Sequence, residues 1–426
     1  MIRIFNYEEI DNREIIASPK PTDDVSGIVK EIVQNVRSQG DAALFAYAEK
    51  FDKVKLSSLR VSEEEIAEGV AKVDADFVRI LEASAANIRE FHKKQKRRGF
   101  KLKKEKGVVL GQMVKPIERV GLYVPGGTAA YPSTVLMDAI PAKIAGCPKV
   151  VMVTPPGKDG SLPPVILAAA KVAGVDEIYK VGGAQAIAAL AYGTETVPKV
   201  YKIVGPGNAF VAEAKRQVFG QVSIDMIAGP SEILVVADAK NDPRCIAADL
   251  LSQAEHDRNA SAVLVTDSVT FAERVQSAIE DLLVTMERKD IARVSVDNNG
   301  KIIVAKDLSE AIKVANFIAP EHLELCIEEP FKWLKKVKNA GSVFLGRNCP
   351  EAIGDYFAGM NHTLPTSGTA RFSSPLSVDD FVKKTQFAYY TAEALADVAD
   401  DVATFARKEG LTGHARSATI RSKQYE

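Results

Sequence analysis

The sequence predicts an α/β protein built on parallel sheets with crossover helices, with helical segments at both ends. Three observations carry this. From Gly107 onward, short β-branched runs recur and each ends in Gly or Pro: VGLYVPG, VVMVTPP, EIYKVGG and VYKIVGPG. Between them lie Ala-rich stretches of helical character, PPVILAAAKVAG, AQAIAALAYG and NAFVAEAKRQVFG. Strand, glycine turn and helix repeating at this interval is the pattern of βα crossovers in one sheet. The third observation is size: 426 residues, 46% hydrophobic and 26% charged, suffice for two or three domains with sizeable cores.

In chain order, residues 24–97 read as helical. VSGIVKEIVQNV carries apolar residues at helical spacing, and Ser62 with Glu65 forms a capping box for the next helix. Glu63 and Glu64 suit the positive end of that helix. His92, in NIREFHKKQKRR, reads as a surface or packing histidine of this region. The basic runs Lys93–Arg98 and Lys101–Lys106 read as a solvated helix end and turn. After the four runs already named, the alternation continues through SEILVVAD, a helix ending near Asp249, SAVLVTD, a helix over 270–286, KIIVA, a helix over 308–317, and GSVFLG. Beyond about residue 376 the strands are expected to stop. DDFVKKTQFAYY and TAEALADVADDVATFARKEG read as helices, with Gly410 as a C-cap.

Composition narrows the partners. The formal net charge is −1, so no nucleic-acid or membrane-surface partner is expected. No apolar run reaches the roughly 18 residues of a membrane span, and MIRIFNYEEID lacks the pattern of a signal peptide. Cys147, Cys245, Cys326 and Cys349 are scattered without CxxC spacing, which predicts free thiols in a cytoplasmic protein.

The chemistry-bearing segments are few. Four of the five histidines sit in polar, loop-flanked motifs: SQAEHD, APEH, MNHTLP and LTGHAR. Asp249–Thr266 reads as a helix end, a polar turn and a buried strand. Gln253 and His256, three apart, share a helix face there. The segment is either a solvated helix terminus or part of a site. Three glycine-rich turns follow strands, at 123–133, 181–186 and 204–210. Glycine permits close backbone approach, and helix N-termini bind anions. None is a clean GxGxxG, so each alone is also a plain tight turn; three in one sheet point to a nucleotide or anion site. APEH sets Glu321 beside His322, a carboxylate and an imidazole suited to proton transfer. On a strand they would face opposite ways, so a bend at Pro320 is needed for joint action; a loop cap is the alternative. Residues 346–368, rich in Gly, Asn, Pro and Thr, carry Asp355 and His362, and a loop this long is usually functional. His256, Asp355 and His414 are of the types that bind a divalent metal, although no spacing rule joins them.

Taken together the segments resemble histidinol dehydrogenase over about residues 24–420. VGLYVPGGTAAYPSTVLMDAIPAKIAGC, GGAQAIAALAYGTETVPKVYKIVGPGNAFVAEAKRQV, DMIAGPSEILVVAD, SQAEHD, APEHLEL, NHTLPT and GLTGHAR carry the resemblance. It implies oxidation of L-histidinol to L-histidine in two NAD-dependent steps through L-histidinaldehyde, ending histidine biosynthesis. It implies one zinc ion per subunit on Gln253, His256, Asp355 and His414; those four and Glu321 would also bear on the substrate. Glu321 and His322 correspond to the catalytic pair. Ser133, Ser231, His362 and Glu409 correspond to substrate-contacting positions, and Tyr123, Gln185 and Asn208 to NAD-contacting ones.

The implied fold has two incomplete Rossmann-like parallel-sheet domains, one inserted in the other, with small helical C-terminal domains. The expected boundaries are 1–119 with 233–376 for the first domain, 120–232 for the inserted one, and 377–426 for a C-terminal arm. The resemblance further implies a cytoplasmic homodimer whose active sites are shared, His414 reaching the partner's site. Chemically, His322 suits the base for the alcohol proton and Glu321 the group that activates water on the aldehyde. A thiohemiacetal on Cys147 or Cys349 is disfavoured, since neither sits beside a base in sequence. Two other readings compete: a relative acting on another small polyol or amino alcohol, and a non-catalytic nucleotide- or metal-binding protein.

Overall fold

The computed structural model describes residues 1–15, 24–126 and 130–422. It contains two compact units, Met1–Gln95 with Glu118–Phe381, and Lys96–Ile117 with Val382–Glu426.

The first unit holds two all-parallel sheets. One has six strands in the spatial order Arg3–Asn6, Lys301–Val304, Ser261–Thr266, Glu232–Ala237, His322–Cys326 and Ser342–Leu345. The other has five, in the order Glu177–Lys180, Lys149–Thr154, Arg119–Tyr123, Lys202–Val204 and Ser223–Ile224. Each follows the βα alternation that the sequence predicts, apart from the edge strands Arg3–Asn6 and Ser223–Ile224, which the sequence reading does not include. Their central strands read as unbroken apolar runs because both faces are covered: Ile233–Ala237 and Val150–Thr154 are buried throughout. The Gly183–Tyr192 helix is buried from Ala184 to Ala191, and small side chains let it lie that deep. Both sheets reverse direction internally. In the six-stranded sheet the chain builds outward from Glu232–Ala237 through Ser261–Thr266 to Lys301–Val304, then returns to start His322–Cys326 on the other side. In the five-stranded sheet the same switch falls between Arg119–Tyr123 and Lys202–Val204.

The helical region that the sequence predicts at the start of the chain forms Ser26–Gln39, Asp41–Tyr47, Glu63–Ala71 and Ala75–Lys93. Ser62 accepts the Glu65 N–H, as the capping pattern requires. His92 is fully buried, with Nδ1 at 2.7 Å from Gln95 Oε1, so the packing reading holds.

The second unit corrects two expectations. Val382–Tyr389, read as helix, is a strand, paired antiparallel with Val109–Pro116 in the register Val382↔Pro116 to Tyr389↔Val109. Phe100–Lys103, read as a turn within a basic run, is the third strand of this sheet. Helices Ala392–Lys408 and Thr412–Ser422 follow, with Gly410 in the left-handed region between them, φ 79°.

Among the described residues no disulfide joins Cys147, Cys245, Cys326 and Cys349. No described helix is long and apolar enough to cross a membrane.

Candidate functional site

Two edges of the first unit carry the expected residues. The first is the amino edge of the six-stranded sheet, where His322 opens its strand. Ala319, at φ 56°, bends the chain just before it, a conformation uncommon without glycine. Glu321 Oε2 lies 3.7 Å from His322 Nδ1; Glu321 precedes the strand that His322 opens, so the opposite facing of strand neighbours does not separate them. Glu321 Oε2 accepts the Glu232 N–H at 2.9 Å, and His322 Nδ1 lies 3.0 Å from the Glu232 carbonyl. A carbonyl only accepts, so Nδ1 carries the ring proton and Nε2 keeps its lone pair. That Nε2 is buried with no hydrogen-bond partner, 3.9 Å from Asp355 Oδ1 and 4.0 Å from Glu351 Oε1. Burial lowers the His322 pKa despite nearby Glu351, so the ring is a neutral base at neutral pH.

Gln253 reaches the same place from the last turn of the Pro243–Ala254 helix, and His256 follows with its N–H on the Gln253 carbonyl at 3.2 Å. Gln253 is 1% exposed, yet its Oε1 has no hydrogen-bond partner. Asp355 and Glu351 come from the short Glu351–Tyr356 helix, inside the segment read as loop; they are four apart and so share one face. His362 Nδ1 lies 3.9 Å from Asp355 Oδ1, and His362 Nε2 lies 3.3 Å from Thr134 Oγ1. Burial and the nearby His322 push the His362 pKa down to about 4. The Asn361–Thr363 segment is fixed to the Pro132–Ala145 helix, through Asn361 Nδ2 to the Met137 carbonyl at 2.7 Å and Thr363 Oγ1 to Asp138 Oδ1 at 2.8 Å. Ser133, from the start of that helix, and His256 line one cavity of about 310 Å³ with Tyr131 and Tyr356. Ser231 lies just before the Glu232–Ala237 strand, its carbonyl accepting the Ser261 N–H.

The charge balance of this cluster is unusual. Glu321, Glu351 and Asp355 are largely buried, and among the described residues no Lys or Arg forms an ion pair with them. Burial pushes the Glu321 and Asp355 pKa values well up, and the Glu351 carboxylate adds to the rise at Asp355. Collected carboxylates without a cation are costly, and a metal ion removes that cost. His322, Glu351 and Asp355 offer ligand atoms within 4.8 Å of one another, and the partnerless Gln253 Oε1 is a further oxygen donor. Nitrogen and oxygen donors of this kind suit zinc. Glu409 and His414 belong to the second unit: Glu409 caps the Ala392–Lys408 helix and His414 is exposed in the first turn of Thr412–Ser422.

The second edge is the carboxyl edge of the five-stranded sheet, at its switch point, where open parallel sheets bind ligands. All three glycine-rich turns converge there. Tyr123 ends one strand; its hydroxyl accepts the Gly183 N–H at 3.1 Å and burial pushes its pKa up to about 12, leaving a proton to donate. Gln185 is buried in the next helix. Asn208 caps the Ala209–Val218 helix through Oδ1, accepting from Phe210 and Val211, which leaves its amide nitrogen available. Gly205, at φ 114°, passes so close to the Tyr123 carbonyl that an added Cβ would lie 2.1 Å from it. Its N–H donates to Asp225 at 2.8 Å and its carbonyl accepts from Lys215 at 3.0 Å, and Lys215 and Asp225 form a buried ion pair. In the first turn, Gly127, Thr128 and Ala129 lie outside the described residues.

Sequence reasoning missed Glu351, Glu232 and Thr134. The four-residue spacing of Glu351 and Asp355 in PEAIGDY was an available signal. Nothing in the sequence marks Glu232, which acts at Glu321 and His322 through its main chain.

Comparison with known proteins identifies what the whole chain is similar to. The family model described as histidinol dehydrogenase matches residues 17–422. A histidinol dehydrogenase from Bacillus thuringiensis subsp. konkukian is 56% identical, covering 93% of this chain and 92% of its own. One from Clostridium acetobutylicum is 53% identical, covering 99% of both chains. The crystal structure of histidinol dehydrogenase from Elizabethkingia anophelis superposes with a TM-score of 0.94 at 38% identity, covering 100% of this chain and 98% of that one.

Proposed function

The chain belongs to the histidinol dehydrogenase family, an oxidoreductase of the final steps of histidine biosynthesis with L-histidinol as substrate; from that premise we propose how its own residues do the work. The observation that carries the proposal is the lone pair of His322 Nε2, buried and partnerless beside carboxylates that no Lys or Arg among the described residues pairs with.

Oxidising the alcohol requires loss of a proton and a hydride. His322 takes the hydroxyl proton at Nε2, while its Nδ1–H stays on the Glu232 carbonyl and fixes the ring. The aldehyde then adds water, and Glu321 removes the water's proton, so that a second hydride can leave and a carboxylate results. NAD, when bound, is the hydride acceptor, held by Tyr123, Gln185 and Asn208; the convergence of the three glycine-rich turns supports this. Gln253, His256, Asp355 and His414 are the metal ligands of this reading, supported at Gln253 by an oxygen with no other partner. Those residues would hold zinc, which would supply a Lewis-acid anchor for the substrate beside His322. Ser133, Ser231, His362 and Glu409 contact the substrate; Ser133 and His256 sharing one cavity supports part of that set.

On the same reading the protein is a cytoplasmic homodimer, with domains 1–119 plus 233–376, 120–232 and 377–426, and His414 completes the partner's site. The test is metal dependence. Chelation abolishes activity, added zinc restores it, and His256→Asn lowers bound metal; full metal content and full activity in that variant contradict the ligand assignment.

A further inference from the structure

We propose that Glu351 is a positioning residue that turns the Gln253 amide so that its oxygen, and not its nitrogen, is offered to the metal. This rests on the reading of Gln253 as a ligand. A glutamine amide is nearly symmetric in shape, and a half-turn exchanges a metal-binding oxygen for an –NH2 that cannot bind. For Gln253, 1% exposed, water cannot set the choice. Its Nε2 has two polar side-chain neighbours, each at 3.4 Å: His322 Nδ1 and Glu351 Oε1. His322 Nδ1 already donates its proton to the Glu232 carbonyl, so it cannot accept from the amide. Glu351 is therefore the neighbour that accepts from Nε2. A carboxyl oxygen that turns its lone pair to the amide accepts from Nε2 and repels Oε1.

Glu351 is itself held in place. It is 2% exposed, its N–H donates to Glu324 Oε1 at 2.7 Å, and Ser252 Oγ lies 3.0 Å from its Oε2. Ser252 and Gln253 are adjacent on the same helix end, and the Ser252 hydroxyl is shared between this carboxylate and the Asp249 carbonyl at 2.8 Å. Both Glu351 oxygens thus have partners, whereas Gln253 Oε1 has none. That asymmetry makes Gln253 the ligand and Glu351 the residue behind it, although Glu351 lies near enough to His322 and Asp355 to be taken for a ligand itself.

The experiment measures metal binding on the full-length protein stripped of metal. Zinc affinity is read by competition with a chromophoric chelator, and the ligand set by the visible absorption of the cobalt(II)-loaded protein. In Glu351→Gln the new amide both donates and accepts, so Gln253 loses its preferred orientation. Zinc binding weakens roughly 10- to 100-fold, the usual cost of removing an orienting partner, while saturating cobalt gives wild-type band positions. Unchanged zinc affinity overturns the proposal, and so does a shifted cobalt band, which would make Glu351 a ligand. Gln253→Ala separates the two layers: wild-type zinc affinity there overturns the assignment of Gln253 as ligand instead. Should Glu351→Gln not fold, Ser252→Ala removes the hydroxyl shared by Glu351 Oε2 and the Asp249 carbonyl; it weakens zinc binding several-fold, and unchanged affinity overturns the proposal.

Discussion

At the residue scale, the main chain of Glu232 holds both members of the proposed catalytic pair, giving one hydrogen bond to Glu321 and taking one from His322. The tasks proposed for the two side chains are separable. Glu321→Gln keeps the shape but removes the group that deprotonates water, so oxidation of histidinaldehyde falls far more than oxidation of histidinol. His322→Asn removes the proton acceptor, and both steps fall by around 10²-fold or more. Assays of each half-reaction check this; equal losses in both steps for Glu321→Gln contradict the division. The pair was legible because its members adjoin in sequence. Glu351 was not, because what makes it matter is Gln253, 98 positions away. A second residue-scale expectation concerns stability. His92 is buried, and burial lowers its pKa below the ordinary 6.5. Below pH 6.5 the unfolded chain binds a proton that the folded chain resists. The contribution of His92 is therefore full above 6.5 and is lost as pH falls towards the lowered folded value. Thermal unfolding from pH 8 to pH 5 checks it: the wild-type midpoint drops through this window more steeply than that of His92→Gln, and parallel profiles contradict it.

At the scale of elements, what was legible followed burial. Strands covered on both faces, such as Ile233–Ala237, announce themselves as apolar runs closed by turns. Val382–Tyr389 and Phe100–Lys103 are exposed along most or all of their length, so neither shows the alternation that marks a half-buried strand. KKTQ read as helix because its strand partner lies some 270 residues earlier. The glycine turns were legible as turns, but the reason for glycine at 205 was not. That reason is the Tyr123 carbonyl, which leaves no room for a Cβ. Gly205→Ala also meets an unfavourable φ, costing on the order of 1–3 kcal/mol. The expected outcome is a lower melting temperature and weaker NAD binding, with zinc content unchanged. Calorimetry, NAD titration and metal analysis check it, and unaltered NAD affinity contradicts the placement of the cofactor at this turn.

At the scale of the molecule, the alternation of strand and helix showed that there would be parallel sheets, but not which strand joins which. Arg3–Asn6, not read as a strand at all, closes the edge of the six-stranded sheet against Lys301–Val304, almost 300 residues on. Long-range pairing of this kind leaves no local trace. The proposed sharing of sites between subunits is tested by complementation. His414→Ala and His322→Ala are each nearly inactive. After subunit exchange, a mixed dimer has one site with both lesions and one with neither, so activity returns. No recovery despite confirmed exchange means that His414 serves its own chain. The central claim is that one site carries both oxidations, with Glu321 and His322 each acting in turn. Counting NADH against histidinol consumed tests it most directly. About two NADH form per histidinol, with histidine as the product and no free aldehyde; one NADH per histidinol, or histidinaldehyde accumulating in solution, contradicts a single site for both oxidations.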